Sequence, residues 1–583
     1  RNSASYYCKL YFRIKRIAIK RNAMKENKGI GVVEGYGLAN ALQYVDPIFD
    51  VNKNIDTTID CEKELFERAL QKVQQEIKKI ISYTHGSNSQ EKCELLEVQL
   101  EMAQDPSLIE DISHMILQGY NALYAANKIF NLREQELLAV DDAYFRERSA
   151  DVKDLGTRLC CYIAGKEYVS LRGLNQPVII VAKDLPPSLL LSAPEENIKG
   201  IVLEEAGKTS HVVIVASGLG IPTVIGCKDV DSMKGMLFVD GFAGKVVPVG
   251  QEDIAFYAEI IRKFDETNKQ REKLQHIRSV TLDGKVIRLA ANITGLGEAK
   301  KARELGAEGV GLFRTEFLYM NRSALPSCKE QADIYSEVAR LFSQQDVIIR
   351  TLDIGGDKKS GCLDLEAESG FLGYRAIRIC LDRPEMFLQQ LKACLLASQV
   401  GQVDIMVPMV SSQYEILQTR QLVEKAASAL DMTDWNRKIR IGAMIEIPSA
   451  AICADQLAQC CDFFSIGTND LTQYTLAADR NNARVAMYYS WFSPAVLRLI
   501  QITAQAAQKA KIMCGVCGEV AADPRATSLL IGLGVSELSV PPAKILQIRE
   551  AILKVDTNIS KELAAQALSC SSYREVEALL DIV

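Results

Sequence analysis

The chain has 583 residues, 48% apolar and 24% charged, with 36 Gly and 16 Pro. Such values exclude long disorder, collagen-like repeats and a small disulfide scaffold, and the length accommodates roughly three or four domains. A net charge of −6 argues against a broad basic footprint for nucleic acid, and no window approaches the ~18 uncharged apolar residues of a membrane span.

The sixteen cysteines sit in apolar stretches such as Cys160–Cys161, Cys380, Cys394 and Cys460–Cys461, as buried free thiols do in a reduced, cytoplasmic chain. Histidine chemistry must come from His85, His114, His211 or His276, the four histidines of the chain.

Residues 1–23 carry seven Lys/Arg and no acid. With Met24 following, they are read as a basic extension, either part of a fragment or a read-through upstream of a true start at Met24, and are set aside from the fold. A transit peptide has the same basic, acid-poor character. From Gly29 to Leu42 the sequence is glycine-rich and apolar, like a short strand and turn. Cys61–Leu159 is different: nearly free of Gly and Pro, with Leu65, Ala69, Leu70, Val73, Ile77 and Ile80–Ile81 at helical spacing. Further helices are predicted over Glu94–Met102, Ser107–Leu117 and Glu136–Leu159. Strand patterns return at Pro177–Ala182, Gly200–Leu203, Thr223–Ile225 and Met236–Val239. Residues 24–43 and 160–250 therefore form one α/β domain, interrupted by an all-helical module at 44–159. The charged stretch Asp253–Arg278 reads as a solvated linker helix within 251–279.

Residues 280–583 alternate strand and helix. Strands are predicted at Ile287–Ile293, Gly309–Phe317, Val347–Ile354, Val403–Val410, Ile439–Ile447, Cys461–Ile466, Met513–Glu519 and Glu537–Val540. A doubly wound open sheet is the alternative, but eight such units favour a (β/α)8 barrel.

In a barrel, polar residues just beyond the strand ends are candidates for chemistry. Arg314 (GLFRTEF), Arg350 (VIIRTLDIGGDK), Glu446 (AMIEIP), Asn469 and Asp470 (FSIGTNDL), and Cys517 and Glu519 (CGVCGE) all fall there, with Arg375 and Arg480 in nearby loops. Guanidinium forks match phosphate and carboxylate oxygens, and two carboxylates with substrate oxygens suit Mg²⁺. A small phosphorylated acid fits this set. Cys514 and Cys517 form a Cys-x-x-Cys pair, but neither a second pair nor a thioredoxin-like context accompanies it. Cys517 is therefore read as a single reactive thiol and Cys514 as core. His211 follows Gly-Lys-Thr-Ser at a predicted helix start, which suits an anion on the imidazole. A P-loop is rejected, because its first glycine would fall on Val202.

At these residues the sequence resembles the phosphoenolpyruvate-protein phosphotransferases, Enzyme I of the bacterial sugar phosphotransferase system. SIGTNDLTQYTLA, GLFRTEFLYM, RTLDIGGDK, GYRAIRI, CGE, AGKTSHVVIVA and DDAYFRERSADVKDLGTRL carry the resemblance, which runs from Gly29 to the C-terminus. It implies a swivelling phosphohistidine domain with His211 as the phosphorylated residue, and a barrel that binds phosphoenolpyruvate. It also implies that Arg314, Arg350, Arg375, Asn469 and Arg480 grip the substrate, that Glu446 and Asp470 hold Mg²⁺, and that Cys517 protonates the enolate. The phosphocarrier HPr would dock on the helical module, and two barrels would form a homodimer. Departures from the family pattern are Ala206–Gly207 for Gly-Gly, Ala216–Ser217 for Ala-Arg, and Val33-Glu34-Gly35-Tyr36-Gly37 for Ala-Ser-x-Gly. The rival readings are a specialised paralogue serving another carrier and a pyruvate phosphate dikinase-like enzyme, though the latter needs a nucleotide-binding module that about 100 helical residues do not supply. A third is a non-catalytic regulator, supported by Ser217 alone.

Overall fold

A computed structural model describes residues 27–581 except 50, 56, 85–89, 140–142, 167, 169–170, 208–209, 321–323, 356–371, 481 and 483. Residues 1–23, Met24, His85 and Lys208–Thr209 of the sequence argument lie outside the described residues. The chain divides between Glu266 and Thr267 into two compact units. Among the described residues no helix is long and apolar enough to cross a membrane.

The first unit is built on an eight-stranded sheet. Its strands are β1 (Asn27–Lys28), β2 (Ile30–Val33), β3 (Tyr36–Gln43), β4 (Val178–Ala182), β5 (Ile198–Leu203), β6 (Thr223–Ile225), β7 (Met236–Asp240) and β8 (Lys245–Pro248), in the order β1-β8-β7-β3-β4-β5-β6-β2. The centre, β3-β4-β5-β6, is parallel. Accordingly Ile179, Ile180 and Val181 are all buried, an unbroken apolar run rather than an alternation. β1 and β8 have no counterpart in the sequence reading, because antiparallel strands of two and four residues leave too short a pattern.

Five helices, Ile59–Thr84, Gln90–Met102, Pro106–Leu117, Ala122–Ala139 and Ala143–Ile163, are inserted between β3 and β4. Phe66, Ala69, Val73, Ile77, Ile80 and Ile81 form the buried stripe of the first, as helical spacing requires. The single helix expected over Glu136–Leu159 is instead divided between the last two. Those two helices cross closely at Gly156, where a Cβ would lie 2.7 Å from the Phe130 ring. A buried polar node ties the module to the sheet. Asp154 accepts hydrogen bonds from Gln99 (2.9 Å), Ser188 (2.6 Å) and Tyr168 (2.5 Å), while Arg158 donates to Ser188 at 2.9 Å. The connecting helix Ile254–Glu272 keeps charges such as Arg262 and Glu266 outside. Its first half is not solvated throughout: Tyr257 packs on Phe238 with centroids 4.4 Å apart, and Ile260 is buried.

The second unit is a closed parallel barrel of eight strands in sequence order. They are β9 (Arg288–Ile293), β10 (Val310–Phe313), β11 (Val347–Arg350), β12 (Val403–Val407), β13 (Ile441–Ile445), β14 (Phe463–Ile466), β15 (Met513–Val516) and β16 (Glu537–Val540), with β16 pairing back onto β9. All eight fall where the sequence predicts them, but most end two to four residues earlier. Leu352, Ile354, Met409 and Val410 remain buried after the backbone has left the ladder, so the apolar run outlasts the strand. The strand starts are locked by charge. Arg440 reaches Asp346 and Asp404, each at 2.5 Å, and Arg288 pairs with Glu537.

Candidate active site

The C-terminal ends of the barrel strands carry a connected network of charges. Arg350, the last residue of β11, pairs with Glu316 after β10 and with Asp353 at 3.2 Å. Asp353 also receives Arg375 at 2.7 Å, and Arg375 extends to Asp470 at 3.4 Å. Arg480 approaches the other oxygen of Asp470 at 3.8 Å. Arg314 follows β10, is exposed, and meets no carboxylate partner among the described residues.

Glu446 follows β13 and is buried, its Oε1 accepting the Met409 N–H at 2.6 Å. Burial, reinforced by Asp470 and Asp353, raises its carboxyl to about 8, as crowded carboxylates disfavour ionisation. Asp470 Oδ1 is buried without a hydrogen-bond partner. Two crowded carboxylates, one with an oxygen that accepts no hydrogen bond, fit a hard divalent cation with oxygen ligands. Among the described residues no three His, Cys, Asp or Glu side chains converge as a metal site, so further ligands would have to come from substrate or water. Three guanidinium groups (Arg350, Arg375, Arg480) and three carboxylates (Glu316, Asp353, Asp470) are linked in this network, with Arg314 and Glu446 beside it. The guanidinium groups there attract an anionic substrate, and a cation held by Glu446 would displace the proton that burial keeps on its carboxyl.

Asn469 is the second residue of the helix Thr468–Leu476, beside Asp470. Its amide donates to Glu519 Oε1 at 3.1 Å and accepts the Glu519 N–H at 3.0 Å, while Tyr489 donates to its carbonyl at 3.1 Å. Cys517 follows β15 and projects into the barrel interior with Leu312, Ile348, Met406, Met444 and Phe463. Burial pushes its thiol up to about 11 against the pull of Arg350 and Arg314. It therefore remains protonated at neutral pH, the state a proton donor needs. Cys514 packs into the larger core between strands and helices, and burial raises its thiol to about 12.

His211 belongs to the other unit. It is the first residue of the helix His211–Leu219, which leaves the loop after β5, with Ser210 as its N-cap. Val212, Val213 and Ala216 hold that helix on the sheet, and Ser217 is exposed. The unpaired N–H groups of a helix start favour a phosphoryl group there.

Asp353 and Glu316, which orient the two buried arginines, were not singled out in the sequence. Asn292 was also missed: it donates to the Cys517 carbonyl at 3.1 Å and accepts from Ser539 at 2.7 Å. Each lies in or beside a quoted motif or strand, and that is the only signal that could have found them.

Comparisons with known proteins agree with this layout. Three family profiles match in order: PEP-utilising enzyme, N-terminal, over 28–148; the mobile domain over 174–285; and the PEP-binding domain over 268–557. Phosphoenolpyruvate-protein phosphotransferase of Mycoplasma capricolum is 36% identical, covering 96% of this chain and 98% of its own. The same-named proteins of Staphylococcus carnosus and Listeria innocua are 38% and 37% identical, each covering 96% of this chain and 99% of their own. With matches of that extent, and all three domains in order, the chain belongs to the phosphoenolpyruvate-protein phosphotransferase family.

Proposed function

We propose that the chain takes the phosphoryl group of phosphoenolpyruvate onto His211, releases pyruvate, and passes the phosphoryl group to the carrier HPr, the first step of phosphotransferase-system sugar uptake in the cytoplasm. The observation that carries this reading is the barrel-mouth cluster: four arginines suited to phosphate and carboxylate, two crowded carboxylates suited to a cation, and one protonated thiol. Arg314, Arg350, Arg375 and Arg480 grip the substrate, and the Asn469 amide, oriented by Glu519, adds a donor. Glu446 and Asp470 would hold Mg²⁺, which when bound supplies charge neutralisation.

The neutral imidazole of His211 attacks phosphorus, and the bond from phosphorus to the enol oxygen breaks. The enolate then takes the Cys517 thiol proton on carbon to give pyruvate, and water restores the thiol. Positioning and charge neutralisation carry most of such a transfer. HPr is placed on the helical module. A second copy is placed against the barrel unit, where Tyr414, Leu417 and Ile452 are exposed apolar side chains. The test is pyruvate release with phosphoenolpyruvate, Mg²⁺ and HPr. One pyruvate per phosphorylated HPr is expected, with none from His211→Ala. Pyruvate release by that variant at the wild-type rate would sink the proposal.

A further inference from the structure

The barrel unit has a second cationic feature at its opposite end, where the strands begin. A cleft of about 740 Å³ there is lined by His276, Arg278, Arg288, Arg303, Glu308 and Arg549, among others. Its charges are unevenly matched. Arg288 is paired with Glu537, but Arg278 and Arg303 are exposed and meet no carboxylate among the described residues; Arg303 contacts only the Gln345 amide oxygen, at 3.2 Å. Glu308, the lining carboxylate, is engaged by the Ser279 N–H at 2.8 Å and lies 3.9 Å from Arg549.

The wall between them is firmly built. Arg549 is fully buried in the helix Ile545–Ile552 and donates to the carbonyls of Gln275 (3.1 Å), Leu305 (3.2 Å) and Gly306 (2.5 Å). Gly306 has φ +78°, and a Cβ there would come within 2.9 Å of the Gln275 carbonyl carbon, so the two segments carrying Arg278 and Arg303 are held together at contact distance. Ile277 and Val286, both exposed, add apolar lining to the same cleft.

We propose that this cleft binds a small organic phosphate. Two unpaired guanidinium groups supply bidentate donors for the phosphate oxygens, with His276 able to add a third group. The volume exceeds that of a bare oxyanion and lies in the range of small-molecule sites, and Ile277 and Val286 offer contact for an organic body. None of these residues belongs to the set at the strand C-termini, so the site is separate from the catalytic one.

The test uses the full chain and hydrogen exchange, with glycerol 3-phosphate as probe and citrate as the polycarboxylate comparison, at matched ionic strength. Glycerol 3-phosphate should slow exchange in peptides spanning 275–280 and 301–308. Arg278→Ala combined with Arg303→Ala should weaken that protection by about tenfold or more, the scale of a lost charge-assisted contact. The double Lys variant should recover part of it, and turnover with phosphoenolpyruvate and HPr should be unchanged in both. Absence of protection, equal protection in the double Ala variant, or the same protection from sodium chloride would overturn the site. Protection by citrate but not by glycerol 3-phosphate would overturn the phosphate assignment.

Discussion

Gly518, between Cys517 and Glu519, has φ −76° and ψ 175°, a conformation open to any residue. Glycine is required there by space. A Cβ would lie 2.8 Å from Thr468 N and 3.0 Å from Thr468 Cβ, and closer still to Thr468 Oγ1. Rotating the threonine would clear its hydroxyl, but the nitrogen and Cβ are fixed at the start of the helix Thr468–Leu476. Ordinary contact therefore demands that the two peptides separate by about half an ångström. One of them carries Cys517, the other Asn469 and Asp470. Gly518→Ala should cost about 1–3 kcal/mol of stability and lower pyruvate formation roughly 10- to 100-fold, the scale of an ångström-sized misplacement. Gly297→Ala is the control: no atom lies within 4 Å of its Cβ, in the helix Leu296–Glu304, so stability should be unchanged or gain up to about 1 kcal/mol with normal turnover. Urea denaturation and steady-state pyruvate release read both effects. Wild-type stability and turnover in Gly518→Ala would refute the steric argument.

Cys517→Ala should bind phosphoenolpyruvate but form pyruvate about 10²-fold more slowly, the usual loss of a general acid, whereas Cys514→Ala should leave turnover intact; equal turnover for Cys517→Ala and wild type would return that thiol to the core. Arg440→Ala strips the fully buried Asp404 of its guanidinium partner and should cost about 3–5 kcal/mol in urea denaturation, partly recovered by adding Asp404→Asn; a cost near zero would mean the strand-start network is not stabilising. Asp151 is buried, and burial, opposed by Arg148, raises its carboxyl to about 6. Its folded-state value exceeds the unfolded one, so the folded state holds the extra proton between about pH 4 and 6, and the stability this gives is lost as pH rises through that window. Asp151→Asn should therefore gain on wild type by up to ~3 kcal/mol between pH 4 and pH 7, read by hydrogen exchange in the helix Ala143–Ile163, and a pH-independent difference would contradict the assigned shift.

The barrel was legible because most of its buried parallel strands are short, largely apolar runs with a helix-length spacer behind them. The inserted helices were legible where a stripe is regular, as from Leu65 to Ile81, although the fully buried Phe66 was passed over. They were not where small residues do the packing: Ala122, Ala125 and Ala126 are buried in the helix Ala122–Ala139, yet alanine gives little contrast with its surroundings. The linker reading weighed charges such as Arg262 and passed over Phe256, Tyr257 and Ile260, because a helix can be charged on one face and docked on the other. Arg314, Arg350 and Arg375 stood out because each follows or ends a predicted strand or lies in a quoted motif, and Arg480 because it lies in the loop just after one. What the sequence could not convey was their pairing. That Asp353 joins Arg350 to Arg375, and that Arg375 reaches Asp470, depends on barrel closure bringing together residues up to 95 positions apart.

The central claim is that the phosphoryl group of phosphoenolpyruvate comes to rest on His211. Incubation of the full chain with phosphoenolpyruvate carrying labelled phosphate, with and without Mg²⁺, followed by peptide mapping under conditions that preserve acid-labile bonds, tests it most directly. The account predicts one Mg²⁺-dependent label per chain, in the peptide containing His211, lost to added HPr and absent from His211→Ala. Label on another residue, or undiminished label in that variant, would contradict it.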